Sequence, residues 1–329
     1  MINQPAIELK HVTKLYNTQP LSGVESINLT IQTGTITVIA GASGSGKSTL
    51  IKLISGLMSP DSGEVYYQGK HVAGPSEKLI PGHDAMKTVA QDFNLNIYAK
   101  VYDNIAGLLS NTDLKGKQRK TFEVMEFLKI DHLAQKRAVD LSGGEQQRVA
   151  IARAIITGPE VLLLDEPFSQ VDAMFKNELR ADIRRMATYL GITVVLVSHD
   201  PLDGLSLADN MVIIKDGKLV EEGSPYDLYN HPKELYTATL LTNCNVLPSE
   251  DAAIVGIFSE KDNVVIYPEW IVFNDRGLNC FIKECLFKGF YEEVVLEYQG
   301  VILRALSQSP GKYKKGSWIQ AELTRFYEY

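Results

Sequence analysis

Two glycine-rich segments constrain what this chain can fold into more than any other feature of the sequence. The first, residues 41–48, reads Gly-Ala-Ser-Gly-Ser-Gly-Lys-Ser and fits the pattern G-x-x-x-x-G-K-[ST]. It follows the apolar run at residues 36–40, which predicts a strand, and it opens residues 47–57, whose apolar side chains recur at helical spacing. The sequence therefore predicts a strand, a phosphate-binding turn and a helix. The second segment, residues 141–145, reads Leu-Ser-Gly-Gly-Glu.

The first segment has the chemistry of a nucleotide phosphate site. Backbone N–H groups in such a turn converge on phosphate oxygens, and the helix N-terminus adds partial positive charge. Lys47 is predicted to reach the β- and γ-phosphates, and the Ser48 hydroxyl to ligate Mg²⁺. The predicted ATP-binding residues here are Gly41, Ala42, Ser43, Gly44, Ser45, Gly46, Lys47, Ser48 and Thr49.

Two carboxylates, Asp165 and Glu166, stand where the apolar run at residues 161–164 ends. Neighbouring strand residues point to opposite sides, so one carboxylate can face a metal while the other faces a water at the γ-phosphate. Asp165 is predicted to hold Mg²⁺ through a water. Glu166 is predicted to polarise the attacking water.

Three further side chains are assigned roles in the nucleotide site because of where they stand relative to these motifs. His199 follows a predicted strand, where an imidazole can contact the γ-phosphate and orient Glu166 or the water. Gln91 also follows a predicted strand, and its amide oxygen can ligate Mg²⁺. Tyr16 precedes the first glycine loop and is predicted to stack on adenine, because that loop contacts no base.

The second glycine segment predicts another anion site. Ser142, Gly143 and Gly144 stand before an apolar helical run, and a hydroxyl with glycine N–H groups at a helix start can bind an anion. The alternative is that Ser142 simply caps the helix. A glycine weakens a helix by about 1 kcal/mol, and two in succession favour close approach to a ligand.

In this order, the motifs closely resemble those of the ATPase subunits of ATP-binding cassette transporters, over residues 7 to about 239. The resemblance implies a homodimer in which the signature residues of one copy close over ATP held by the other. Those residues are Ser142, Gly143, Gly144 and Glu145. It also places Tyr16 at the adenine-stacking position and Gln91 at the Q-loop glutamine.

Residues 169–172 match the D-loop of that family, which puts Asp172 at the dimer seam. Gln170 and Val171 stand where the family usually has a small residue or Asn followed by Leu. Residues 94–105 resemble the segment that meets the coupling helix of a membrane subunit. The resemblance therefore implies two membrane permease subunits as partners.

The pattern of the chain predicts an α/β fold followed by a small β domain. Short β-rich runs alternate with longer helical runs up to about residue 239, which predicts a mainly parallel sheet. We expect a P-loop NTPase cassette at residues 1–240, with a helical subdomain at about 92–158. Residues 245–329 hold short alternating runs between Gly and Pro turns, and these predict an all-β, OB-like domain.

This tail is similar to the transport-associated domain of an importer subgroup. Tyr267, Pro268 and Glu269 stand where that subgroup repeats Arg-Pro-Glu. Its members serve polyamines, ferric iron, sugars or oxyanions, so the resemblance implies import, together with an extracytoplasmic solute-binding protein. The tail can alternatively be a ligand-binding regulator of the ATPase, or a dimer-stabilising module without a ligand.

Composition argues against nucleic acid as a partner and favours a cytosolic location. The net charge of −7 argues against a broad basic surface for nucleic acid. Three cysteines cannot all pair within one chain, and no secretory signal is visible in the first residues, so we expect free thiols in the cytosol. The apolar runs are shorter than the roughly 20 residues of a bilayer span. Together with the resemblance, these observations imply a peripheral place on the cytoplasmic face of the membrane.

These observations predict an ATPase that uses Mg²⁺ and ATP to energise a solute importer through its permease. One alternative is an ABC-type ATPase that works without a permease, on nucleic acid or ribosomes. Another is a P-loop small-molecule kinase. The kinase would explain the first glycine loop but not residues 141–145.

Overall fold

The computed structural model describes residues 5–16 and 22–329. Its contacts divide the chain into two units, Met1–Leu228 and Tyr229–Tyr329. The division precedes the boundary predicted near residue 240, so the helix Leu235–Leu241 falls in the second unit. The prediction that the first residues carry no secretory signal lies in part outside the described residues.

The first unit is built from ten strands and seven helices within the described ranges. The strands are β1 (Ile7–Tyr16), β2 (Ser22–Ile31), β3 (Ile36–Ala40), β4 (Ser62–Tyr67), β5 (Lys70–His71), β6 (Met86–Val89), β7 (Val161–Asp165), β8 (Thr193–Ser198), β9 (Asn210–Lys215) and β10 (Lys218–Gly223). The helices are α1 (Lys47–Ile54), α2 (Val101–Ala106), α3 (Leu114–Phe127), α4 (Gly143–Ile155), α5 (Ala173–Leu190), α6 (Pro201–Leu207) and α7 (Pro225–Asn230), the last of which contains the division.

A six-stranded sheet forms the centre of the first unit, in the order β10-β9-β3-β8-β7-β6. β9, β3, β8, β7 and β6 run parallel, and only β10 joins antiparallel to its neighbour. Because the strands are parallel, their carboxyl ends meet at one edge of the sheet. The ends of β3, β6, β7 and β8 carry the predicted site residues, so the topology brings those residues together.

Both faces of this sheet are covered, which explains its nearly continuous apolar strands. On β8, Val194 and Leu196 pack with the helical residues of α2 to α5, whereas Val195 and Val197 pack with α1 and the antiparallel sheet β2-β1-β4-β5. All four side chains are fully buried. The predicted helix at 47–57 ends at Ile54, because Gly56 turns the chain with a positive φ of 71°.

The second unit is mostly β structure. Its elements are α8 (Leu235–Leu241), β11 (Asn245–Pro248), α9 (Ser249–Ile254), β12 (Asn263–Ile266), β13 (Ile271–Phe287), β14 (Glu292–Tyr298), β15 (Val301–Ser307), β16 (Trp318–Leu323) and β17 (Tyr327–Glu328). They form the sheets β11-β12-β17 and β15-β14-β13-β16 around one apolar core. The mixed α/β first unit and this β-rich unit confirm the predicted fold class.

β13 is the longest strand of the second unit, and the sequence analysis did not predict it. The residues Asn274, Asp275, Arg276 and Gly277 bulge out of a continuous strand. Phe273 and Leu278, on either side, both pair with Ala321 of β16. Across the described part of the chain, no helix has the length and apolar character needed to span a bilayer.

Candidate functional site

The first glycine loop joins β3 to α1, and its glycines are required by close backbone approach. Gly46 lies in the left-handed region with φ 101°, and a Cβ there would stand 2.3 Å from the carbonyl oxygen of Gly23. A Cβ on Gly41 would stand 2.2 Å from the carbonyl oxygen of Ile214. A side chain at either position would collide with backbone, so only glycine allows this turn.

Lys47 begins α1 and is almost completely buried. Its ammonium group donates hydrogen bonds to the carbonyl oxygens of Gly41, at 2.9 Å, and Ala42, at 2.8 Å. Burial lowers the pKa of the Lys47 amine, and the carboxylates of Glu166 and Asp165 partly oppose that shift. The ammonium therefore lies inside the curve of the loop, where a bound phosphate can compete for it.

Ser48 and Asp165 are brought together although they are distant in sequence. The Ser48 hydroxyl donates to Asp165 Oδ1 over 3.0 Å. Burial raises the pKa of Asp165; the Ser48 hydrogen bond opposes the shift, and the neighbouring Glu166 adds to it. A hydroxyl beside a half-buried carboxylate is a set of hard oxygen donors, and such a set fits Mg²⁺.

Glu166 and His199 form the second close pair of the site. Nδ1 of His199 lies 2.9 Å from Glu166 Oε2. Glu166 follows β7 with a positive φ of 48°, and its N–H donates to the carbonyl of Val197 on β8. A non-glycine residue in the left-handed region is uncommon and clusters at functional positions. The backbone turn fixes where the Glu166 side chain begins, and the contact with the His199 imidazole fixes the orientation of its carboxylate.

One open cavity of about 530 Å³ collects most of the predicted residues. Its lining is Tyr16, Ser22, Gly23, Ser43, Gly44, Gly46, Lys47, Ser48, Thr49, Gln91, Glu166 and His199. Gly41, Ala42, Ser45 and Asp165 do not line it; Asp165 contacts it through Ser48. Ser22 and Gly23 were not predicted, because no motif marks them before the strands are assembled.

Tyr16 ends β1 at the rim of this cavity. Its hydroxyl donates to the sulfur of Met58 over 3.2 Å, and the end of β1 is held by Asp61, which accepts from the N–H of Leu15 and from the ammonium of Lys14. These contacts fix the ring beside the glycine loop. A fixed aromatic ring next to a phosphate site is suited to stack on a base.

The second glycine segment starts helix α4 on a different cavity. Ser142 caps the helix: its hydroxyl accepts from the N–H of Glu145 at 3.4 Å, while the Glu145 carboxylate accepts from the Ser142 N–H at 2.8 Å and hydroxyl at 2.9 Å. The capping interpretation of Ser142 is therefore correct as far as the helix is concerned. It does not explain both glycines.

Ser142, Gly144, Glu145 and Asp172 line a cavity of about 310 Å³ that shares no residue with the first one. Gly143 does not line it. A Cβ on Gly143 would stand 2.4 Å from the carbonyl oxygen of Gln170, so this glycine lets the D-loop pack on the start of α4. Within one molecule the two glycine segments thus serve separate openings.

Comparisons with known proteins identify the family. Residues 24–169 match the family model described as ABC transporter. The chain is 34% identical over 292 residues to the glucose import ATP-binding protein GlcV of Saccharolobus solfataricus, covering 81% of this chain and 83% of GlcV. The chain belongs to the ABC transporter family. It is an ATPase, the ATP-binding subunit of an ABC importer, as the sequence predicted.

Solved cassettes share the fold of the first unit. CbiO1 from Clostridium perfringens, part of the ABC transporter complex cbiONQ, has a TM-score of 0.59 and 27% identity, covering 68% of this chain and 90% of cbiO1. A dimeric post-hydrolysis form of the cassette MJ0796, bound to ADP and Pi, has a TM-score of 0.58 and 27% identity over 67% of this chain and 98% of its own. A small-molecule kinase is therefore excluded as the alternative.

Proposed function

We propose that two copies of this cassette ATPase close head to tail on two molecules of Mg²⁺-ATP. Each nucleotide is held by the glycine loop of one copy and by Ser142, Gly143, Gly144 and Glu145 of the other. Closure and reopening drive two membrane permease subunits on the cytoplasmic face of the membrane, which receive solute from an extracytoplasmic solute-binding protein. Asp172 lies at the seam between the copies.

The observation that carries this proposal is the separation of the two cavities. Lys47, Glu166 and His199 line one cavity, and Ser142 and Gly144 line the other. The start of helix α4 can bind a phosphate, but it lies away from the cavity that holds the glycine loop. A nucleotide that reaches it must therefore be held by another molecule. A second copy of the chain supplies that ligand. The proposal is supported by MJ0796, a similar cassette that is dimeric with ADP and Pi bound.

Binding is the task of the glycine loop and Tyr16. Backbone N–H groups of the glycine loop bind the phosphates, and the Lys47 ammonium exchanges its contacts with the carbonyls of Gly41 and Ala42 for phosphate oxygens. The Tyr16 ring stacks on adenine. Ser48 and Gln91, with Asp165 acting through a water, would hold Mg²⁺, which would neutralise charge on the β- and γ-phosphates.

Hydrolysis depends on Glu166 and His199. The Glu166 carboxylate accepts a hydrogen bond from a water on the far side of the γ-phosphate, and it draws the proton as the water oxygen attacks phosphorus. The bond to the ADP oxygen breaks, and ADP and phosphate leave. Nδ1 of His199 donates to Oε2 of Glu166, which orients the carboxylate.

The transported solute is selected outside this chain. GlcV is a glucose import protein by name, and the present chain supplies the same kind of ATP-binding subunit. We propose that it energises import, with the identity of the solute set by its permease and solute-binding protein. Residues 245–329, which lie in the second unit, are proposed to form the transport-associated domain of the importer subgroup.

The substitution Glu166→Gln tests the proposal. The amide keeps the shape of the side chain but cannot accept a proton, so ATP hydrolysis is expected to fall by at least about a hundredfold. The variant should then elute as an ATP-bound dimer in size-exclusion chromatography with Mg²⁺-ATP, and as a monomer without it. Phosphate release measures the rate.

The matched control is Glu123→Gln on helix α3, where the carboxylate makes only an exposed ion pair with Arg119 in the same helix. An exposed ion pair contributes little to the stability of the fold, so this variant should hydrolyse ATP at the parent rate. A Glu166→Gln protein that turns over ATP at the parent rate would refute the catalytic role. A variant that is inactive but stays monomeric with ATP, even beside its permease, would refute the shared site.

A further inference from the structure

Gln170 makes a contact that joins two motifs far apart in the sequence. Its side-chain Nε2 donates a hydrogen bond to the backbone carbonyl of Gln91 over 3.0 Å. Gln91 opens the Q-loop and lines the nucleotide cavity, whereas Gln170 belongs to the D-loop, residues 169–172. The family usually has a small residue or Asn at position 170; a small residue has no amide donor, and the Asn amide is one methylene shorter than that of Gln170.

The backbone of Gln170 is also fixed on both sides. Its carbonyl oxygen packs on Gly143 at the start of α4, at a point that leaves no room for a Cβ on that glycine. On the other side, the N–H and hydroxyl of Ser169 both donate to the carbonyl of Glu166, at 3.2 Å and 2.9 Å. Gln170 therefore stands one tight turn away from the residue proposed to polarise water.

These contacts place one side chain at the meeting point of three motifs. The turn from Glu166 to Gln170 is closed by its own hydrogen bonds, α4 abuts it through Gly143, and the Gln170 amide ties it to the Q-loop. A change in the angle between α4 and the central sheet must move Gln170. The hydrogen bond passes that movement to the backbone of Gln91.

We propose that Gln170 is a positioning residue for ATP hydrolysis, which acts by holding the backbone of Gln91 so that its amide faces the metal. The proposal rests on the role proposed above for Gln91. It assigns Gln170 no contact with ATP. Within one copy of the chain, this hydrogen bond links the position of helix α4 to the residues proposed to hold Mg²⁺.

The test is a double-substitution cycle on the full chain, measured as steady-state ATP hydrolysis. Gln170→Ala removes the donor, and Gln170→Glu keeps the length but sets a carboxylate against the Gln91 carbonyl. Each should lower kcat about fivefold, the effect expected of one lost hydrogen bond. The KM for ATP should stay within about twofold, because the Gln170 bond is not part of the glycine loop or Tyr16 contacts. The Mg²⁺ concentration for half-maximal rate should rise.

The decisive comparison is with Gln91→Ala. If Gln170 acts through Gln91, the double variant should have the same kcat as Gln91→Ala alone. Multiplicative losses would overturn the proposal, and so would a Gln170→Glu protein with the parent rate. A Gln91→Ala protein with the parent rate would refute the role of Gln91 and this inference with it, while leaving the Glu166→Gln test untouched.

Two controls separate positioning from stability. Melting temperatures of the Gln170 variants should match the parent, because the side chain is exposed and packs in no core. Gln118→Ala, an exposed glutamine on helix α3, should change neither kcat nor the Mg²⁺ dependence. A loss of rate that follows a fall in melting temperature across the variants would also overturn the proposal.

Discussion

Nδ1 of His199 lies 2.9 Å from Oε2 of Glu166, at the ends of two neighbouring parallel strands, β8 and β7. The pair fixes which carboxylate oxygen remains for water. It also gives His199 a role that depends on Glu166 and not on ATP alone.

His199→Ala is expected to lower kcat for ATP hydrolysis by about ten- to a hundredfold with little change in KM, because a positioned imidazole contributes to the chemical step. Phosphate release over a range of ATP concentrations measures both. His71→Ala, which removes an exposed pair with Glu77, should leave kcat unchanged. A His199→Ala protein whose KM rises while kcat is kept would indicate that His199 serves binding.

Tyr16→Ala is expected to raise the KM for ATP about tenfold, because base stacking on an aromatic ring contributes about 1–3 kcal/mol. Tyr16→Phe keeps the ring and loses only the hydrogen bond to the Met58 sulfur, so its KM should match the parent. Binding of a fluorescent ATP analogue measures the two variants side by side. Equal affinities for both variants would contradict adenine stacking.

Gly143→Ala and Gly144→Ala are expected to differ in stability although they are neighbours in the first turn of α4. A Cβ at 143 would stand 2.4 Å from the Gln170 carbonyl oxygen, whereas one at 144 has Val171 Cγ1 at 3.8 Å as its nearest atom. Overpacking at the first position should lower the melting temperature by about 5 °C. The second should raise it slightly, because alanine favours a helix more than glycine does and its Cβ meets no close atom. Equal melting temperatures would show that the D-loop yields without strain.

Thiol reactivity is expected to be low at neutral pH. Burial raises the pKa of Cys244 and Cys280 from 9.0 to about 11, and only the thiolate reacts with iodoacetamide. The thiolate fraction near pH 8 is therefore about a hundredfold lower than for an unshifted thiol, and labelling should increase as pH rises. Mass spectrometry of the native and the denatured protein checks this. Rapid native labelling of Cys280, which is fully buried, would contradict the core packing.

The order and chemistry of the motifs were predictable because each lies within a short stretch of chain. Residues 36–54 form a strand, a glycine turn and a helix for reasons that are all local: apolar periodicity, positive φ at glycine and a lysine at the helix start. The carboxylates after β7 and the histidine after β8 were predictable in the same way. No local pattern predicted β13, where residues 274–277 bulge out of a strand that pairs with β16 on both sides of the bulge.

The sequence by itself determined which groups are available: an ammonium, a hydroxyl, two carboxylates, an imidazole and two glycine segments at strand and helix ends. Only the tertiary structure decided how they pair, because Ser48 with Asp165, Glu166 with His199 and Gln170 with Gln91 come from separate strands or loops. Such bonds form only after the parallel strands have aligned. Their geometry depends on sheet order and on close contacts such as Gly143 against Gln170, which no local pattern encodes.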